Sequence, residues 1–361
     1  MKLEGTEGGE YHLSNGLEII LFSVLSVVEF YRRIQKEGKM NRRRMLAGIL
    51  TLFSMGLFGA YAWGAEAFPT KPIELVNPFA AGGSTDVQCR TFAARATPFL
   101  NNQPCVVLVK AGGGTVIGSK YVLDGHNDGY TVLSSSTSSL MIAPVVNKAG
   151  FSWRDFTGIC QTMLGSDAFF VRADSPFTTL KKFIEYAKQN PGKIKFSSSG
   201  TGTSPHLGGE GLAVAAGISI KHIPTKGDSE ALTALLGGHV MAASMNPLAA
   251  IPHVAKGTIV CLAQYGAERD KAVLPNVPTY KEQGVDVVLD LWRWIVVPKG
   301  VPPDRVQFLR AAFMKLFQDK ETRGALEKIN CPASPLPGEE FEKVMMKSEA
   351  AVLPLIKAAG L

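Results

Sequence analysis

From Phe68 to Leu361 short apolar runs alternate with segments whose apolar residues recur every three or four positions. The runs Ile73–Asn77, Cys105–Val109, Tyr130–Ser134, Ala168–Arg172, Ile194–Ser197, Ile220–Ile223, Val240–Met245, Thr258–Gln264 and Trp294–Pro298 are rich in β-branched or aromatic residues. Gly, Pro, Asn and Ser flank them, which predicts short strands buried on both faces. Between them, Leu180, Phe183, Ile184 and Ala187 fall at i, i+3, i+4 and i+7 and predict a helix that Asn190-Pro191-Gly192 ends. Val306, Leu309, Phe313, Leu316 and Phe317 predict another, opened by Pro302-Pro303-Asp304. Alternating strands and helices imply an α/β fold of mostly parallel sheets with helices on both faces.

The pattern ahead of Phe68 is different. Asn41-Arg42-Arg43-Arg44 is followed by the uncharged, mostly apolar Leu46–Ala62 and then by Ala65-Glu66-Ala67, with Ala62-Trp63-Gly64 as a second small-residue site. A basic start, an apolar stretch and an A-x-A pattern describe a secretory signal, and the stretch is shorter than the ~20 residues of a spanning helix. Met40 stands just before the basic cluster. Residues 1–39 therefore read as an upstream extension, 40–67 as a signal peptide, and the mature protein as beginning near Phe68 in the periplasm.

Composition narrows the function. A chain of 361 residues, 46% hydrophobic and 19% charged, has room for two domains with substantial cores. The net charge of +7 is spread along the chain, and no basic run is interleaved with aromatics, so a solvated surface is expected and nucleic acid is not. The five cysteines form no CxxC pair and no His lies at zinc-ligand spacing; buried thiols are expected, with no metal and no cofactor.

Three strand-to-helix junctions are rich in Gly, Ser and Thr: residues 78–86, 197–206 and 134–139. A helix start carries unpaired N–H groups and partial positive charge; glycines allow close approach and hydroxyls add donors. Such junctions bind carboxylate or phosphate without Lys or Arg, although each taken singly is also an ordinary capped turn. Enzyme signatures fail. In Gly202-Thr203-Ser204-Pro205-His206, His206 stands where a nucleophile elbow needs Gly, and Pro205 removes an oxyanion-hole amide. Gly112 to Gly118 does not match GxGxxG, and no GxxxxGK[ST] follows a strand. The residues point to a binding protein rather than an enzyme; a hydrolase or transferase using Ser204 is the weaker alternative.

An ordered set of short motifs then resembles one family. Phe68-Pro69-Thr70-Lys71-Pro72-Ile73 is followed by Pro78-Phe79-Ala80-Ala81-Gly82-Gly83-Ser84-Thr85-Asp86, Asp128-Gly129-Tyr130-Thr131 and Asn190-Pro191-Gly192-Lys193. Ser198 to Leu207, Pro224-Thr225-Lys226-Gly227, Leu235-Leu236-Gly237-Gly238 and Leu274 to Thr279 complete it. Together they resemble the substrate-binding receptors of tripartite tricarboxylate transporters, the Bug family. The resemblance implies a two-lobed periplasmic-binding-protein-like fold of the type II, flytrap kind, with crossing hinge strands. It implies one lobe from residues 68–158 and 262–361 and the other from 159–261. A small carboxylate ligand, the membrane permease components of a transporter and a monomeric state are implied too; presentation of the loaded form to a membrane sensor is the alternative use. Carried over by position, the ligand contacts are Phe79, Ala81, Gly83, Ser84, Thr85 and Asp86 in the first loop, Ser136 and Thr137 in the third, Ser199, Gly200, Thr203 and Ser204 facing them, and Asn246. Phe79, Met245 and Trp292 are the expected apolar wall. The chain departs from the pattern at Met245-Asn246, where members often have Asp-Asn, at Thr225 in place of Tyr, in the loop Lys110–Gly114, and in the glycine-free, hydroxyl-rich Ser134–Ser139.

Overall fold

The computed structural model describes residues 67–361, together with Glu29 and Arg32; the expected extension and signal peptide lie outside these apart from those positions. Residues Phe68–Leu361 form one compact unit built on two five-stranded sheets. The first has the order β2-β1-β3-β10-β4, with β1 Ile73–Asn77, β2 Cys105–Val109, β3 Thr131–Ser136, β4 Phe156–Ser166 and β10 Asp290–Pro298. The second has the order β7-β6-β8-β5-β9, with β5 Ala168–Arg172, β6 Lys195–Ser198, β7 Lys221–Pro224, β8 Ala242–Met245 and β9 Ile259–Gln264. Each sheet underlies one lobe of an α/β flytrap fold.

Eight of the nine expected strands form within two residues of their expected limits. Two features differ. The sheets are mixed rather than mostly parallel: β10 runs antiparallel to β3 and β4, and β5 runs antiparallel to β8 and β9. These are strands next to the passages between sheets, where the chain enters without a crossover helix to reset its direction. The second difference concerns length. The eleven residues of β4 were not expected, because Gly158, Gln161, Thr162 and Gly165 break up their apolar pattern. Likewise β10 begins at Asp290, four residues earlier than the apolar run suggests, since Arg293 lies inside it.

Two well-packed clusters anchor the lobes. Phe92, Phe313 and Phe317 pack edge to face beneath the first sheet, and Phe170, Leu232, Leu235 and Met245 pack in the second. Each buried aromatic or aliphatic side chain contributes roughly 1.5–3 kcal/mol of transfer free energy, so both walls of the cleft rest on firm supports. All five cysteines are free thiols; burial pushes the Cys89 thiol up to about 12 and the Cys160 thiol to about 12, so both pack as small hydrophobes.

What positions the site is the direction of the strands. Helix α1 (Ser84–Ala93) follows β1, α5 (Ser204–Ala216) follows β6, α6 (Asp228–Leu236) follows β7, and α7 (Pro247–Ala255) follows β8. Between α1 and α5 in sequence come α2 (Val116–Leu123), α3 (Ala143–Val146) and α4 (Leu180–Gln189); α8 (Pro303–Gln318), α9 (Lys320–Lys328) and α10 (Phe341–Ala358) close the chain. Each helix start named first lies at the carboxyl end of a strand, the place where open α/β sheets bind ligands.

Candidate functional site

The carboxyl ends of the two sheets face one another and touch. The Ala80 amide donates to the Lys226 carbonyl at 3.0 Å, and the Ser229 hydroxyl donates to the Ala81 carbonyl at 3.2 Å. The Ser204 amide donates to the Ser138 hydroxyl at 2.8 Å, and Ser84 donates to the Asp228 carboxylate. Gly114, at φ +58, lies so close to the facing loop that a Cβ there would meet the Thr201 carbonyl oxygen at 1.8 Å; only glycine permits this approach.

Between these contacts lies a small cavity of about 10 Å³, room for roughly one water. Helix starts line it from both lobes: Thr85 of α1, Pro205 of α5, Asp228 of α6 and Asn246 capping α7. Ser136 and Ser138 line it at the end of β3, Ser199 after β6, and Phe79 and Leu291 supply apolar wall. Asp167, on the passage from β4 to β5, and Arg293, in the middle of β10, complete it.

The expected loops are thus brought together, but their residues do different things. Phe79, Thr85, Ser136, Ser199 and Asn246 reach the cavity. Ser84 stands behind it, joining Asp228 to Arg293; the Ser204 hydroxyl is buried without a hydrogen-bond partner. Ala81, Gly83, Gly200 and Thr203 shape the loops: Gly83 and Thr203 precede α1 and α5, and Thr203 accepts the His206 amide. Asp86 and Thr137 point elsewhere. Asp86 accepts from Asn77, the Gly82 amide and Arg90; burial opposes its charge, but Arg90 and the Gly82 amide outweigh that and hold its carboxyl below the usual range. Thr137 pins β10 through the Asp290 carbonyl and the Trp292 amide. The apolar wall is also reassigned. Met245 is in the core of the second lobe, and Trp292, alternating with Leu291 and Arg293 along the strand, turns away to donate to Ser348.

Sequence reasoning missed the charged groups. Arg293 is 3% exposed, Asp167 2% and Asp228 7%. Arg293 donates to the neutral partners Gln88 (3.0 Å) and Ser84 (2.9 Å), and its Nε has no partner. Among the described residues it has no ion-pair partner. Asp167 Oδ2 and Asn246 Nδ2 are likewise buried and unpartnered. Burial, then the neighbouring Asp228 charge, pushes Asp167 up to about 7, against easing by Ser204, Arg293 and Asn246. Burial also raises Asp228, against the Ser84 hydroxyl, Arg293 and the Asn246 amide. A signal was present in each case: an arginine between two tryptophans inside a strand, an acid opening a helix after Lys226-Gly227, and an acid between two strands. Among the described residues no cluster of His, Cys, Asp and Glu is placed to hold a metal ion, and no helix is long and apolar enough to cross a membrane.

Comparison with known proteins agrees with this architecture. The sequence model described as "Tripartite tricarboxylate transporter family receptor" matches residues 90–361. A Cupriavidus necator protein of the UPF0065 group is 35% identical over 329 residues, 89% of this chain and 99% of its own length. Protein BugT of Bordetella pertussis is 31% identical over 285 residues, 78% of this chain and 86% of its own. Among solved structures, an adipate-bound R. palustris protein superposes with a TM-score of 0.75 at 26% identity, covering 81% of this chain and 98% of that one. The periplasmic binding protein BugD gives 0.72 at 27% identity, covering 81% and 99%. The ordered motifs, the fold and these matches agree: this chain belongs to the tripartite tricarboxylate transporter receptor family.

Proposed function

We propose that the chain is a periplasmic receptor that captures a small organic carboxylate between its lobes and delivers it, without chemistry on it, to the permease of a tripartite tricarboxylate-type secondary transporter. The observation that carries the reading is the convergence, on one small cavity, of helix starts from both lobes with a buried Arg293 that makes no direct ion pair among the described residues. Helix-start amides and an unpaired guanidinium both favour an anion, and a buried cation left unpaired is costly. A carboxylate removes that cost. Adipate in the R. palustris relative supports the ligand class.

A cavity of about 10 Å³ is too small for any carboxylate with a carbon chain, so the ligand enters an opened form. Binding then follows the flytrap logic, in which the ligand draws the lobes together because it contacts both. The lobe division belongs to this reading. The sequence resemblance divides the lobes at 158/159 and 261/262; the sheets support crossings at Asp167 and after Gln264, where the chain changes sheets. Secretion through residues 40–67 and action as a monomer complete the proposal.

The test is native mass spectrometry of the mature protein from cells, followed by thermal shift with mono-, di- and tricarboxylates and aromatic acids. One acid per chain and a raised melting temperature are expected, since ligand at a hundred times Kd stabilises by about 2.7 kcal/mol. A panel that shifts nothing rejects the reading.

A further inference from the structure

The second-lobe loop 198–204 carries the cavity residue Ser199, the Thr201 carbonyl packed against Gly114, and the Ser204 amide that donates to Ser138. It also contains Gly200 and Gly202, both at positive φ, so an unsupported chain here loses much freedom on ordering. Two histidines behind the loop supply the support. His206 Nδ1, in the first turn of α5, accepts the Gly202 amide at 3.2 Å. His222, in β7, shares a 2.6 Å hydrogen bond between its Nε2 and the Ser198 hydroxyl, and that hydroxyl accepts the Gly200 amide at 3.2 Å. The two imidazoles stack, with centroids 3.9 Å apart and planes at 26°, and the Phe196 ring of β6 lies 5.1 Å from that of His222. The contacts close a circuit: Ser198 to His222, across the stack to His206, and back to Gly202. Neither histidine is among the residues lining the cavity.

We infer that His206 and His222 are positioning residues for carboxylate capture: as a stacked pair they hold the loop 198–204 in its binding shape before the ligand arrives. The inference rests on the carboxylate reading above and goes beyond it by assigning how this loop is preorganised. The chemistry is specific. An amide N–H only donates, so His206 Nδ1 is the bare nitrogen and the ring proton sits on Nε2, 3.7 Å from the Glu210 carboxylate. A protonated ring has no acceptor and would release Gly202. Burial, aided at His222 by the neighbouring His206, keeps both rings neutral. Ordering a glycine-containing loop in advance removes that cost from the binding step, so the pair acts on affinity and not on stability alone.

The experiment is calorimetry on the mature protein with a panel of acids: acetate, succinate, adipate, citrate and benzoate. It compares His206→Leu, which keeps bulk and loses the acceptor, with His206→Asn, whose Oδ1 stands as many bonds from Cα as Nδ1 does. Affinity for the acid that binds wild type best is expected to fall about tenfold in His206→Leu and to stay within about threefold of wild type in His206→Asn. His222→Gln, which places a polar atom where Nε2 stands, should likewise bind more tightly than His222→Leu. Nitrogen NMR of the unliganded wild-type protein gives a second readout should a variant not fold. The Nε2–H tautomer of His206 and a slowly exchanging Gly202 amide are expected; a proton on His206 Nδ1 would overturn the inference. Equal affinities in wild type and His206→Leu, or equal losses in His206→Leu and His206→Asn, would also overturn it and leave the carboxylate receptor standing. A wild-type protein that binds none of the acids would overturn both.

Discussion

The two walls of the cleft are built from the same kind of junction but carry opposite charge. The first lobe offers Arg293 from β10, a central strand hydrogen-bonded on both sides to β3 and β4. Its guanidinium is held by Gln88 and Ser84. The second lobe offers Asp228 at the first position of α6, where the helix dipole favours negative charge, and Asn246 at the start of α7. Asp167 lies between them on the passage from β4 to β5. The cation is thus fixed by a sheet and the acid by a helix start, and closing brings them to one cavity. The lesson of the difference is that neither wall alone defines the ligand. The helix starts would accept many anions; the fixed charges decide which end of the ligand goes where.

The comparison can be broken most sharply at the cation. Arg293→Met keeps bulk and removes charge, and loss of a buried charged contact costs about 2–5 kcal/mol. Calorimetry should show carboxylate affinity falling by roughly thirtyfold or more, and a change smaller than threefold would mean that Arg293 is only structural. Gly114→Val tests closure next. The side chain meets the Thr201 carbonyl and needs a left-handed φ, so small-angle scattering with ligand should report a more open particle, with affinity down about tenfold. A compact liganded particle would show that the Gly114 approach is dispensable.

The pH response separates the two poles. Asp167, pushed up to about 7, faces Asp228 of α6, Arg293 of β10, Ser204 of α5, Asn246 before α7 and Tyr265 after β9. An ionised Asp167 repels a ligand carboxylate in the same cavity, so carboxylate affinity should fall as pH rises through about 7, by up to about tenfold per unit. Asp167→Asn should flatten that response. His206 and His222, lowered by burial to about 4 and about 3, stay neutral across this window. For the unliganded protein the sign is opposite to that of a salt-bridged acid. The folded state binds the Asp167 proton more tightly than the unfolded chain does, so its contribution to stability is full below the ordinary carboxylate range and is lost as pH rises through about 7. The smallest effect belongs to Thr203→Ala, which removes the cap that accepts the His206 amide. It should cost about 1 kcal/mol, a melting temperature lower by about 2–4 °C.

Much of the fold was legible because apolar runs such as Cys105–Val109 and Ala168–Val171 read as strands on sight. The helix-start loops were legible too, because three Gly-, Ser- and Thr-rich junctions recur after strands in one chain. What was not legible was polar and buried. Arg293 broke the pattern that would have identified β10 in full, and the polar residues of β4 hid a whole strand. Asp167 and Asp228 resembled ordinary turn and helix-start acids, because only the meeting of the two sheets removes them from water. Met245 and Trp292 failed for the opposite reason: apolar residues beside a loop look like pocket wall, while strand alternation turns them into the core.

The central claim is tested most directly by a crystal structure of the mature protein with its tightest-binding carboxylate. The account predicts the lobes closed on the ligand, its carboxylate within hydrogen-bond reach of Arg293 Nε and the start of α1. A carboxylate seated away from Arg293, or on an outer face with the cleft unchanged, would contradict it.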